Sequence, residues 1–344
     1  VTQFDYIKDI ARFGLENDQE KLKDSLQEMI EHARKSKKTN LAIQLQSILK
    51  EAIRHHSSGS LKTSSGIRFE TPSSKEVDQL ILDQVTSDYR LSDLICTPQI
   101  KESLDHFILE HRKKNLLQAL DLPIAHKILF YGPSGCGKTL ASYVIAGELE
   151  KILLVVNLGA IVSSKLGETS KNLAKIFKKA AAGDYILFLD EFDSLGKVRD
   201  YSQDHGEMKR VVNTILQLFD YLPQSTIVIA ATNQVGMLDD ALIRRFDTQI
   251  GFELPAQHEI EELIQLTLKR GVFTLGSKSG IKRLIQKAKG LSFYSIQKTL
   301  IAAMKRSLYK LETDLVPSKV EIDKAIWEKL IEEEKTAISN SGKV

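Results

Sequence analysis

Apolar positions recur at helical spacing in three stretches at the start of the chain. Phe4, Ile7, Ile10 and Ala11 form the first stripe, and Leu22, Leu26, Met29, Ile30 and Ala33 the second. Leu41, Leu45, Ile48, Leu49, Ala52 and Ile53 form the third. Steps of three and four place each set on one helix face, which predicts three amphipathic helices packed as a small bundle over residues 1–55. Asn17, Asp18 and Glu20 before the second stripe, and Thr39 and Asn40 before the third, are the residue types that satisfy free amides at a helix start. From His55 to Ser74 the composition turns to Ser, Gly, Thr and Lys with Pro72, so residues 56–74 read as a flexible linker.

Helical signals then run to about Leu120, and the pattern changes to short apolar runs separated by helical stretches. Lys127–Tyr131, Ile152–Asn157, Tyr185–Leu189, Thr226–Ala231 and Thr248–Glu253 have strand length. Runs that are apolar on both faces and alternate with helices predict a parallel sheet covered on two sides. The expected core is therefore an α/β domain over 75–254 with a five-stranded parallel sheet. Beyond Pro255 only helical periodicity remains, through Leu263, Ile285, Leu300 and Leu330, which predicts a small helical domain over 255–344. Trp327 lies on the last stripe and reads as its packing anchor.

Composition changes this picture little. Apolar residues make up 42% and charged residues 27% of 344, which is globular. A net charge of +3 carries no bulk signal for nucleic-acid or membrane-surface binding. Two cysteines, Cys96 and Cys136, make neither a disulfide framework nor a zinc cluster. No apolar run reaches membrane-spanning length and Val1–Ile10 has no signal-peptide pattern, so a cytoplasmic chain is the expectation.

The chemistry starts at Gly132-Pro-Ser-Gly-Cys-Gly-Lys-Thr139, between a predicted strand and a predicted helix. This is the phosphate-loop pattern in its required context. Its glycines let backbone amides turn around a polyphosphate at a helix N-terminus. Lys138 would reach the β- and γ-phosphates, and the Thr139 hydroxyl would ligate Mg²⁺. Cys136 sits at an unrestricted position inside this loop and reads as inert; the lesser alternative is an exposed thiol beside a helix start, open to activation.

Ile186-Leu-Phe-Leu189 runs into Asp190-Glu191. There Asp190 can hold Mg²⁺ through water and Glu191 can polarise an attacking water. Ile227-Val-Ile-Ala-Ala231 ends in Thr232-Asn233, where Asn233 can orient that water. Arg244 and Arg245 stand together before the last strand, placed to serve a neighbouring subunit's phosphate rather than their own.

These pieces, in this order, resemble an AAA ATPase of the katanin and spastin branch, and the layout also looks like small bacterial single-ring AAA proteins. The resemblance rests on Leu129–Thr139, Leu187–Asp193, Ala230–Asn233 and Ala241–Phe246. It implies a P-loop α/β domain with a helical lid, ATP and Mg²⁺ as ligands, and a ring, usually hexameric, that remodels protein substrates. It also implies nucleotide contacts along Pro133, Ser134, Gly135, Cys136, Gly137, Lys138, Thr139 and Leu140. The adenine pocket would involve Asp93, Leu94 and Ile95, with Gly290 and Ser292 from the lid. Some bacterial relatives are associated with a subtilisin-like protease, which makes such a protease a candidate partner.

One departure matters. Where such remodellers carry a pore aromatic, Ser164-Lys165-Leu166 places a lysine. Two functions follow as alternatives: an ATP-driven protein remodeller, favoured by Glu191 and Arg245, or a nucleotide-controlled switch that recruits or restrains an effector, favoured by Lys165. A nucleic-acid motor ranks below both, because no basic stripe interrupts the charge balance.

Overall fold

The computed structural model describes residues 3–16, 18–36, 38–57, 81–158, 161, 166–197, 205–269, 271–276, 278–311 and 317–341. Three helices open the chain: α1 (Gln3–Leu15), α2 (Gln19–Lys35) and α3 (Thr39–Ser57). There follow β1 (Asp83–Val85), a 3-10 turn (Leu91–Asp93), α4 (Pro98–Arg112), α5 (Lys114–Ala119), β2 (Lys127–Tyr131), α6 (Lys138–Glu148) and β3 (Leu153–Asn157). Next come α7 (Leu166–Gly183), β4 (Ile186–Asp190), α8 (Ser194–Lys197), α9 (His205–Tyr221), β5 (Ile227–Thr232), α10 (Asp240–Ile243) and β6 (Thr248–Gly251). The chain closes with α11 (Gln257–Leu268), β7 (Phe273–Thr274), α12 (Lys278–Ala288), α13 (Phe293–Tyr309), β8 (Val320–Glu321) and α14 (Lys324–Ser341).

Contacts group these elements into two compact units. The first comprises Val1–Asp93, Ser103–Phe130 and Thr139–Ile250; the second comprises Leu94–Glu102, Tyr131–Lys138 and Gly251–Val344.

The main sheet has the order β1-β3-β4-β5-β2-β6. β3, β4 and β5 run parallel in register, Val156 beside Leu189 and Leu189 beside Ala230. Asp247 N–H donates to Lys127 O and Phe252 N–H to Tyr131 O, so β6 climbs alongside β2 in the same direction. Every residue of β5, and all of β4 before Asp190, is buried, as strands covered on both faces require.

The expected five strands become six. The sixth, β1, pairs antiparallel with β3 at the sheet edge, Asp83 opposite Val155. Three residues beginning Asp-Gln carry no readable period, and only the open edge of β3 selects this segment.

α1 packs on α2 and α2 on α3, the second pair through Ile30, Ala33, Ala42 and Leu49. Asp18 caps α2, its carboxylate accepting from Lys21 N–H at 3.2 Å. The third helix also faces the sheet unit: Ile43 joins the core formed by Leu154, Leu187 and Val228, and α3 packs on α7. Arg34 pairs with Glu150 at 3.3 Å, and Asn40 donates to Asp88 at 2.7 Å. α3 runs on through His56 and Ser57, and the rest of the expected linker lies outside the described residues.

The second unit carries the expected helices α11 to α14 around Ile260, Leu284, Leu300 and Trp327. Trp327 is fully buried, and its indole N–H donates to Thr299 Oγ1 at 3.3 Å. A short parallel pair, β7–β8, was not legible as strands, being two residues each.

Candidate active site

The phosphate loop belongs to the second unit and is built on backbone conformations open to glycine. Gly132, Gly135 and Gly137 have φ of 130°, 73° and 99°. A Cβ on Gly132 would lie 2.0 Å from Phe252 O, so the loop leaves β2 against the backbone that follows β6. Lys138 is buried, and its Nζ donates to Gly132 O at 2.7 Å and Pro133 O at 2.8 Å, folding the ammonium back over the loop. Pro133 and Ser134 are exposed.

Within the same unit the lid reaches this loop. Tyr294 N–H donates to Gly135 O at 3.1 Å, and a Cβ on Gly135 would lie 2.7 Å from Ser292 Oγ. Ser292 caps α13, accepting from Ser295 N–H. Leu94 is buried, with its Cδ1 3.6 Å from where a Gly137 Cβ would stand, and Ile95 packs on the lid core. Four residues expected near the nucleotide, Leu94, Gly135, Gly137 and Ser292, are thus brought together. Gly290 turns the chain into α13 at φ 90°, with open space beside it. Asp93 instead secures its own turn, accepting from Arg90 N–H at 2.8 Å.

Cys136 lies enclosed within the loop. It is buried, its thiol directed to Ser134 O at 3.8 Å, and burial raises its pKa, Lys138 opposing only in part. A protonated, enclosed thiol is not the activated nucleophile that an exposed position would make.

The first unit holds Thr139, Leu140 and the strand-end residues. Thr139 is exposed at the start of α6, and its carbonyl accepts from Ser142 Oγ at 2.7 Å. Asp190 ends β4 half-buried and accepts from Glu191 N–H at 2.9 Å. Glu191 is exposed and has φ 53°, a left-handed conformation that a carboxylic side chain adopts only where its surroundings enforce it. The enforcing bonds are local: Asp190 holds the Glu191 amide, and Phe192 N–H donates to Ala231 O at 2.9 Å on the next strand.

Asp193, two residues after Glu191, has a structural role of its own. It is 2% exposed and accepts from Thr232 Oγ1 at 3.2 Å and Asn233 N–H at 3.4 Å. It therefore ties the end of β5, with the exposed Asn233, to the turn after Glu191. Of the five residues expected to act in hydrolysis beyond the phosphate loop, Asp190, Glu191 and Asn233 share this stitched edge. Arg244 and Arg245 lie apart from it in the chain, exposed, at the end of α10. Ser164 and Lys165, at the expected pore position, lie outside the described residues.

A hydroxyl and a carboxylate, from Thr139 and Asp190, are the hard oxygen donors that Mg²⁺ takes, so the residues present fit that ion.

The pattern of the family described as "ATPase family associated with various cellular activities (AAA)" matches residues 128–254. An uncharacterized AAA family ATPase of Sinorhizobium fredii is 33% identical over 224 residues, 65% of this chain and 67% of that protein. The chain belongs to the AAA family. A spastin homolog of Caenorhabditis elegans is 33% identical over 205 residues, 57% of this chain and 40% of that protein. The chain thus spans two thirds of the first AAA relative and less than half of the second. Among solved structures, the FIGL-1 AAA domain superposes with a TM-score of 0.61 over 80% of this chain and 98% of its own, at 18% identity, a likeness of fold. As an AAA protein the chain carries the family's nucleotide-binding domain. No helix among the described residues is long and apolar enough to cross a membrane.

Proposed function

We propose that this AAA protein hydrolyses ATP in a ring of its own copies, usually six in this family, and uses the cycle to remodel a protein bound through residues 1–55. The observation that carries the reading is Glu191: exposed, held at φ 53°, directly after Asp190 and beside the stitched end of β5. A carboxylate presented in this way suits polarisation of water. In this reading Lys138 and the amides of Pro133 to Leu140 hold the phosphates, and Asn233 orients the water. Asp93, Leu94, Ile95, Gly290 and Ser292 surround the base. Thr139 and Asp190 hold Mg²⁺, which when bound offsets phosphate charge. Arg244 and Arg245 approach from the adjacent subunit and stabilise charge developing on the γ-phosphate. The test is Glu191→Gln, which should keep ATP affinity and lose hydrolysis; near-normal turnover would remove Glu191 as the base.

A second reading is favoured by Lys165 at the pore position. A lysine does not grip apolar side chains as an aromatic ring does, so the ring would act as a nucleotide-timed switch on one effector, such as a protease. Stimulation of turnover by unfolded protein at large would decide against it.

A further inference from the structure

At the strand ends opposite to those carrying Asp190 and Asn233, the first unit holds a polar pocket of about 620 Å³, a volume that suits a ligand. Arg34 of α2 and Gln46 of α3 line it on the side of the N-terminal helices, and α5 lines it through Lys114, Asn115 and Gln118. Lys151, Asp184 and Ser225, which shortly precede β3, β4 and β5, complete it. A recess of about 20 Å³ shares Gln46, Glu150, Lys151 and Asp184 with this pocket and is lined further by Ser47. That is room for one group the size of a water molecule.

Three of the four cations in the pocket are matched within it. Lys151 Nζ donates to Asp184 Oδ1 at 2.6 Å, Arg34 lies 3.3 Å from Glu150, and Arg112 binds Glu148. Glu150 and Asp184 follow α6 and α7 at φ 51° and 58°, left-handed positions where helices commonly end in glycine, yet acids stand at both. Lys114 is left over, exposed and with no ion pair among the described residues. Burial keeps His111 neutral, so the pocket carries one positive charge in excess. Asn115, Gln118 and Gln224 make no side-chain hydrogen bond among the described residues, so each presents an unused donor and acceptor. Ser47 is 9% exposed, and its Oγ is buried without a partner. A hydroxyl left so costs stability, which a group entering the recess recovers.

We propose that this pocket binds an acidic peptide of the partner protein: its carboxylate pairs with Lys114, and its amides bond with Asn115, Gln118 and Gln224. A carboxamide carries donor and acceptor together, as a peptide bond does, so the lining suits a chain of amides better than a bare anion. Leu116, Leu120 and Leu122, on α5 and just after it, are exposed and offer apolar contact to the peptide's side chains. The inference rests on and deepens the reading above that residues 1–55 hold a protein, because Arg34 and Gln46 belong to that segment. It adds α5 and the strand starts of the ATPase domain to the surface the partner meets.

The test sorts synthetic random pentapeptides on the immobilised full-length chain, one set with amidated and one with free C-termini. Enrichment of aspartate and glutamate in the amidated set assigns the carboxylate to a side chain, and preference for the free-terminus set assigns it to a peptide end; either supports the pocket. For a selected peptide, Lys114→Glu should weaken binding about tenfold or more, and should favour the same peptide with lysine in place of its acid. Gln118→Ala should weaken it about threefold. Both side chains are exposed, so both variants should keep the natural melting temperature. A bound pool with no preference for acid in side chain or terminus would overturn the proposal. So would a selected peptide that binds Lys114→Glu as well as it binds the natural chain. Glucose 6-phosphate binding that Lys114→Glu abolishes, with no peptide retained, would overturn it too, by making this a site for a small phosphate. Lys114-dependent binding of a folded protein that carries the selected peptide, with ATP turnover unaltered, would keep the pocket and remove the remodelling role.

Discussion

Phe192 and Phe246 meet edge to face, their ring centroids 5.6 Å apart and their planes at 81°. The first follows Asp190-Glu191 directly, and the second follows Arg244-Arg245 directly. Both are buried, so the residues proposed to act on the subunit's own nucleotide and those proposed to act on its neighbour's share one aromatic contact. Phe246→Ala should cost about 3–5 kcal/mol of stability, and Phe246→Leu about 1–1.5 kcal/mol. In a denaturant series with Phe192→Leu, the two leucine changes should depart from additivity by roughly 0.5–1.5 kcal/mol. Strict additivity would mean that the rings touch without coupling.

The loop glycines should separate by what surrounds them. At Gly137 an added methyl meets nothing nearer than 3.6 Å, so Gly137→Ala bears only the cost of φ 99°, of order 1–3 kcal/mol. At Gly132 it would strike the Phe252 carbonyl at 2.0 Å, which is backbone and cannot swing aside. Gly132→Ala should therefore be the more destabilising of the two and should lose ATP binding. Thermal melts with and without nucleotide measure both, and equal melting temperatures would refute the packing argument.

Acid should weaken the fold through His111. Its ring lies 4.7 Å from Phe107 and within 2.8 Å of Ala125 O, and burial pushes its pKa down to about 4. The unfolded chain, with histidine near its ordinary 6.5, binds the proton first, so stability is whole above about pH 6.5 and is lost as pH falls toward 4. His126, also lowered by burial, adds in the same direction. The His111 part is roughly 3 kcal/mol at most. His111→Gln, which keeps a donor for Ala125 O, should flatten the slope of stability between pH 6.5 and 4; an unchanged slope would contradict this.

What could be read in advance, and what could not, divides along range in the chain. The loop between β2 and α6, the carboxylates ending β4 and the helical C-terminal segment are local patterns, and they stood out because strand, glycine and lysine lie within a dozen residues. Asp193 did not, since its partner lies 39 residues away and only tertiary folding pairs them. Ile43 stands outside the predicted bundle stripe, and in the structure it faces the sheet core instead. The edge strand β1 was invisible because the open side of β3, rather than its own three residues, makes it a strand.

The central claim is that hydrolysis depends on residues from two subunits. The most direct measurement is ATP turnover per subunit recorded beside assembly mass across protein concentration, for the natural chain and for Glu191→Gln. The account predicts turnover that rises steeply as rings appear in the natural chain, and ATP-bound rings without turnover in Glu191→Gln. Turnover per subunit that stays constant from monomer to ring, or a Glu191→Gln chain that hydrolyses at the natural rate, would contradict it.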